Sequence, residues 1–496
     1  MLVLAAGSYV AADVFDVVPG ILTRATPAPA PTDAHAADAT PGDAAPAIAL
    51  PTPTATNPVL APLDAPALDR DALERAITPT LADPALGPGV GVSIRDVATG
   101  EQVYAAGAPT ARRVASTQKL LTAAAVAQVL DPAATMRTRV VSPKPGELVL
   151  VAGGDTMLAK GAGDPAAVAG HAGLADLVTQ VVDGIRAQHE GTPEAGAPKR
   201  WTLRLDATFA AGPGYPDTSA FPPSWNPADV ASGFTQTVAM LGFADQRPKP
   251  YVPSPMDPAG SVLTELGEQL DTALRQATGA RVRVRDTPSL RATPAPADAS
   301  ELGAVESAAY RDVLATALDD SDNALTENLA RQAALAQGRD GGFAGNAAFV
   351  QDTLAGLGYD VSGTNLVDTS GLAGEQTTTV ALISQVIGDG LSGKLPGLAD
   401  VLGRLPVAGL DGTLYDRFRT GPSVTAAGLA RAKTGTLTGI SSLAGTTVDA
   451  AGQQLAFVIV ADRVPAATGT LEARAALDRF VVALTSCDCG TSKGTS

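Results

Sequence analysis

Apolar positions recur at helical spacing over residues 69–81, then switch to strand-like alternation over 91–104, where two strands flank a turn at 96–100. An Ala- and Leu-rich stretch at 116–130 predicts a helix stopped by Asp131 and Pro132. Gly and Pro dominate from 143 to 299, with strands expected at 147–152 and 201–206. Helical spacing returns at 308–318, 324–337 and 343–357. Residues 430–462 read as strands joined by turns at 438–439 and 450–452, and 472–484 as a closing amphipathic helix. Strands at both ends with helices between them predict an α/β (α+β) body whose sheet is interrupted by a long insertion.

The ends of the chain follow a different pattern. Met1 to Ala12 is apolar but shorter than the roughly 20 residues that span a bilayer. It has the character of an export signal or anchor without the usual preceding basic residues, so 1–22 is assigned that role. Residues 23–66 are mostly Ala, Pro, Thr and Asp, which bury nothing, and are expected to form a spacer. An apolar segment, a Pro/Ala spacer and a globular body suit a protein held outside a membrane.

Hydrophobic residues make up 45% of the 496 residues but aromatics only 4%, so the core must be built from Ala, Val and Leu. With 35 Lys and Arg against 51 Asp and Glu, the net charge of −16 argues against nucleic acid and anionic membrane as partners. Cys487 and Cys489 fall in the polar segment 485–496 and are expected to be tail thiols, because a bridge between them would close a tight ring. The only histidines are His35, His171 and His189, so a histidine-based triad or metal centre is poorly supplied. Any catalysis needs another base.

Three short motifs supply one. In Ser116-Thr-Gln-Lys119, a hydroxyl and an ammonium three residues apart share a helical face. A partly desolvated lysine can take the serine proton, and a helix start favours the developing oxyanion. Ser321-Asp-Asn323 stands before a helix, where it can cap the free amides. Its serine can also face Lys119 to relay protons, and its asparagine can hold a carbonyl. Lys433-Thr-Gly435-Thr436 places a cation and hydroxyls on a strand whose glycine permits close approach of an extended peptide.

In this order the motifs resemble those of active-site serine enzymes of the penicillin-binding-protein and β-lactamase superfamily. The long gap between the first two motifs is similar to the class C low-molecular-mass penicillin-binding proteins, the S13 peptidase family. Further likenesses are 148–158, Asp206 and Phe209 with Pro223-Ser-Trp225, the Asp368-Thr-Ser-Gly-Leu372 segment, and 405–414. The resemblance runs over about 67–484. It implies a transpeptidase-like domain in two parts, 67–140 and 300–484, with inserted β-rich domains at 141–299 and a polar tail at 485–496.

It also implies a D-alanyl-D-alanine carboxypeptidase, often with endopeptidase activity, acting on peptidoglycan stem peptides, inhibited by β-lactams and requiring no metal or cofactor. By that resemblance Ser116 is the nucleophile, Lys119 its base, and Ser321 and Lys433 the route to the leaving group. Thr434 and Thr436 grip the terminal carboxylate, Gly435 opens the strand, Asn323 holds the peptide, and Asp206 contacts a side-chain amine. The backbone amides of Ser116 and Thr436 form the oxyanion hole. The family pattern usually carries an arginine where this chain has Gly374, which leaves side-chain recognition open. The alternatives are a β-lactamase, for which no deacylating glutamate is identified, and a non-catalytic wall-binding or β-lactam-sensing protein.

Overall fold

The apolar C-terminal strands need a partner from the opposite end of the chain. In the computed structural model, which describes residues 67–189, 198–215 and 220–490, they find it. The expected export segment (1–22) and spacer (23–66) lie outside the described residues.

In chain order the strands are β1 (Val90–Asp96), β2 (Gln102–Ala106), β3 (Ala111–Arg112), β4 (Arg137–Ser142), β5 (Glu147–Val151), β6 (Arg200–Asp206) and β7 (Arg281–Val284). They continue as β8 (Ser300–Glu306), β9 (Thr378–Thr379), β10 (Arg431–Leu437), β11 (Ile440–Val448) and β12 (Gln454–Ala461). The longer helices are α1 (Arg70–Leu81), α2 (Lys119–Ala127), α3 (Leu174–His189), α4 (Pro258–Thr278) and α5 (Tyr310–Asp319). After them come α6 (Asn323–Ala336), α7 (Phe343–Gly356), α8 (Val380–Leu391), α9 (Pro396–Leu402) and α10 (Gly469–Ser486).

One sheet has the order β10-β11-β12-β1-β2 with antiparallel pairs throughout, Val92 lying opposite Ile459. Both faces of β12 are buried, which explains its unbroken apolar run. Leu455, Phe457 and Ile459 pack with α1 and α10, through Leu73, Ile77 and Phe480. Val458 and Val460 face the other way, into the Ala- and Leu-rich core formed by α2, α6 and α8. Of these helices α8 lies against the sheet, on β1 and β12. The Ala-built core expected from composition is the one present.

A second sheet, β7-β6-β5-β4-β8, comes from the insertion, with β5, β6 and β7 parallel. Its inner strand β4 crosses the expected boundary at 140, and its edge strand β8 begins just past the one at 299. Helices α3 and α4 cover it through Leu177, Val181, Leu266 and Leu270. The Gly- and Pro-rich reading of this stretch did not anticipate those helices. Gly267 explains part of the miss: a Cβ there would lie 2.3 Å from Val284 Cγ2, so glycine in mid-helix serves close packing on β7.

The C-terminal cysteines require a correction. Helix α10 continues to Ser486, and Cys487 and Cys489 form a disulfide within the core that contains Phe480. Neighbouring backbone pins both residues, with Ala450 N donating to Cys487 O and Asp69 N to Cys489 O. That brings their Cα atoms to 5.2 Å, within the range a disulfide spans. The tail expected from 485 is therefore folded at least to Gly490.

Candidate active site

Ser116 stands in the 3₁₀ turn Ala115–Gln118 rather than in the α-helix expected from 116; α2 proper begins at Lys119. Ala115 holds a left-handed backbone (φ 49°), and its carbonyl presses against Gly371, where a Cβ would come within 2.2 Å. Ser116 thereby sits half-buried at the head of a buried helix. One turn on, the Lys119 ammonium donates to Ser116 Oγ at 3.0 Å, to Asn323 Oδ1 at 2.6 Å and to Ser370 O at 2.7 Å. Lys119 has no exposed surface, and burial lowers its pKa to about 8 despite the opposing pull of Asp368, Asp322 and Glu327.

Asp322 caps α6 as the motif suggested, accepting from Leu325 N at 2.9 Å. The preceding Ser321 has a left-handed backbone (φ 57°). Arg247 from the insertion steadies this turn, binding Asp320 at 2.8 Å and Asp322 at 3.2 Å. The Ser321 hydroxyl accepts from Lys433 Nζ at 2.8 Å. It therefore partners the lysine of the third motif, as the resemblance implied, rather than Lys119, which the motif alone suggested. Lys433 is fully buried, and burial together with the nearby Lys119 charge holds its pKa well below the usual lysine range.

Strand β10 runs beside the nucleophile. A Cβ on Gly435 would lie 3.1 Å from Ser116 N, 2.9 Å from Val114 O and 2.2 Å from Ser442 Oγ, so only glycine fits this approach. Thr434 donates to Thr413 Oγ1 at 3.0 Å, and Thr436 is exposed on the same strand. Six of the expected residues, Ser116, Lys119, Ser321, Asn323, Lys433 and Gly435, thus converge, with Thr434 and Thr436 on the adjoining strand.

Asp206 is engaged elsewhere. Its carboxylate accepts from Thr208 N and Oγ1 at 3.0 and 2.7 Å and from Ala295 N at 2.7 Å, closing a turn at the end of β6. Gly374 is exposed, with open space where a side chain would project.

Two acidic groups escaped the sequence reading. The buried Asp368 carboxylate accepts from the amides of Ser370, Gly371 and Ala373, from Gln376 and from Trp225 Nε1, shaping the loop that presents Ser370 O to Lys119. Glu327 on α6 accepts from Thr369 N at 2.8 Å and Ser370 N at 3.0 Å, and burial first, then Asp368, raises its pKa to about 7. The available signal was the Asp368-Thr-Ser-Gly-Leu372 segment, noted as a likeness but not as part of a site.

A serine beside a desolvated lysine, a second serine–lysine pair and an open strand edge together define an acyl-transfer enzyme of the penicillin-recognising class. The model of the D-Ala-D-Ala carboxypeptidase 3 (S13) family matches residues 73–246 and 256–484, and the chain belongs to this family of serine carboxypeptidases. It is 32% identical to the carboxypeptidase DacB of Mycolicibacterium smegmatis, over 88% of each chain. It is also 30% identical to a D-alanyl-D-alanine carboxypeptidase of Actinomadura sp. strain R39, over 82% of this chain and 83% of that one. Penicillin binding protein 4 of Haemophilus influenzae shares the fold, with a TM-score of 0.60 at 18% identity over 84% of this chain and 98% of that one.

Proposed function

We propose that the chain removes the terminal D-alanine from peptidoglycan stem peptides on the outer side of the membrane, with Ser116 as nucleophile and Lys119 as its base. The observation that carries the assignment is the 3.0 Å contact between Lys119 Nζ and Ser116 Oγ, made by a lysine whose pKa is lowered to about 8. The neutral amine takes the hydroxyl proton as Oγ attacks the penultimate D-Ala carbonyl. The tetrahedral oxyanion is received by the amides of Ser116 and Thr436, and losing one such donor costs about 2.7–4 kcal/mol of transition-state stabilisation.

Collapse breaks the C–N bond, and a proton reaches the leaving amine through Ser321 and Lys433, which are 2.8 Å apart. Thr434 and Thr436 hold the departing carboxylate. Asn323, with Oδ1 on Lys119, orients the base and offers its amide nitrogen to the peptide. Water then releases the shortened peptide from the acyl-enzyme. β-Lactams present a carbonyl and a carboxylate in the same relation and should acylate Ser116.

D-Alanine release from a stem pentapeptide by the wild type and by Ser116→Ala tests the assignment. Release by the wild type alone is expected; equal release by both would overturn it. Slow turnover of a bound penicillin is expected as well, and rapid multiple-turnover hydrolysis would make the chain a β-lactamase.

A further inference from the structure

Helix α6 carries the Ser321 motif at its N-terminus and, two turns further on, Arg331. This arginine is only 6% exposed, yet it forms no ion pair or side-chain hydrogen bond among the described residues, and its Nε is enclosed without an acceptor. Among the described residues it lies over the face of Phe343, with the guanidinium 4.5 Å from the ring centroid. Glu327, one turn back, attracts it without reaching it. Burial lowers the arginine pKa to about 10, so it remains a cation at neutral pH.

Arg331 lines a cavity of about 250 Å³ between α6 and the insertion. Thr237 lies in the same wall, is 2% exposed, and its hydroxyl also lacks a partner. The other cation of the lining, Arg291, is already taken by Asp257 and Asp286. Among the described lining residues Arg291 is thus matched by carboxylates, and Arg331 is the cation left without an ion pair. The remaining wall is chiefly apolar, with alanines beside Val238 and Met240.

A buried cation without a matched anion is costly, whereas a carboxylate can take two parallel N–H bonds from a guanidinium. We propose that this cavity is a second binding site, separate from Ser116, for a small monocarboxylate with a short apolar body, such as an N-acyl amino acid or the C-terminal residue of a peptide. The guanidinium of Arg331 holds the carboxylate, Thr237 adds a hydroxyl, and the alanine-lined walls take the apolar part. The volume falls just below the roughly 300–1,000 Å³ of drug-sized sites, which restricts the occupant to a small molecule or one terminal residue.

The test uses the full chain and 4-fluorobenzoate, followed by ¹⁹F NMR, with neutral 4-fluorobenzamide as control. Saturable binding of the acid and not of the amide is expected. Arg331→Gln should weaken it by about 10- to 100-fold, and Thr237→Val by about 2- to 10-fold. Thr434→Ala, in the catalytic centre, should leave it unchanged. Should Arg331→Gln fail to fold, as judged by near-ultraviolet circular dichroism, Thr237→Val carries the test. Absence of binding, equal binding of the amide, loss on Thr434→Ala, or indifference to substitution at 331 and 237 would each overturn the proposal.

Discussion

At pH 7 a lysine whose pKa has fallen to about 8 is unprotonated in roughly one molecule in ten, against a few in ten thousand for a solvated one. The rate of Ser116 acylation by a chromogenic β-lactam should therefore climb with pH and level off above about 8. Glu327 is one of the carboxylates that stabilise the Lys119 ammonium. Glu327→Gln should move the rising limb to lower pH, and an unmoved limb would remove Glu327 from this role. The same substitution should affect stability. Because the Glu327 pKa rises on folding from 4.5 to about 7, the folded state takes up a proton between those values, and stability falls as pH rises through them. The glutamine carbonyl can keep the Thr369 and Ser370 bonds without ionising, so Glu327→Gln should gain stability over the wild type at pH 8 and not at pH 4, measured by urea unfolding. Gly435→Ala makes a different demand. The Ser442 hydroxyl can turn away, but the Val114 carbonyl and Ser116 amide are backbone. Activity should drop about 100-fold through displacement of the nucleophile, with a stability loss of about 1–3 kcal/mol.

Where a secondary-structure element begins decides what its first residues can do. The turn between α5 and α6 that displays Ser321 is braced by Arg247, from the insertion, which ties Asp320 and Asp322 together. The Arg247 side chain is 14% exposed and that of Asp322 3%, so Arg247→Gln leaves a buried carboxylate unpaired at a cost of about 3 kcal/mol. The kcat for D-alanine release should fall more than KM rises. The three motifs were legible in the sequence because each packs its chemistry into one local turn or strand. Many strand and helix positions in both halves of the body were legible from periodicity, but α8 and α9 were not anticipated. The Asp368–Ser370 loop was not, since it acts on Lys119 through a backbone carbonyl, which any residue type carries. Helices α3 and α4 were obscured by glycines placed for close packing. Of the two lysines offered to Ser321, the motif alone suggested Lys119 and the family resemblance Lys433; the hydrogen bond is to Lys433.

At the scale of the whole molecule the first and last of the described residues hold each other. Asp69 N donates to Cys489 O, and Leu68 bridges Gly490 beside the disulfide. Replacing both cysteines with alanine should cost about 1–2 kcal/mol, because so short a loop restricts the unfolded chain little. The kcat/KM should stay within about twofold, and urea unfolding with and without reductant would check the stability. The pairing of β1 with β12 has a consequence for the making of the protein. Ser116 leaves the ribosome early, and the insertion can close its own sheet once β8 has followed β4. The strand bearing Lys433 and the strand that β1 requires arrive only with residues 431–461. A chain ending before β10 should therefore capture no fluorescent penicillin, however well its insertion folds. Activity is timed by synthesis: the nucleophile is produced roughly three hundred residues before the strands that arm it.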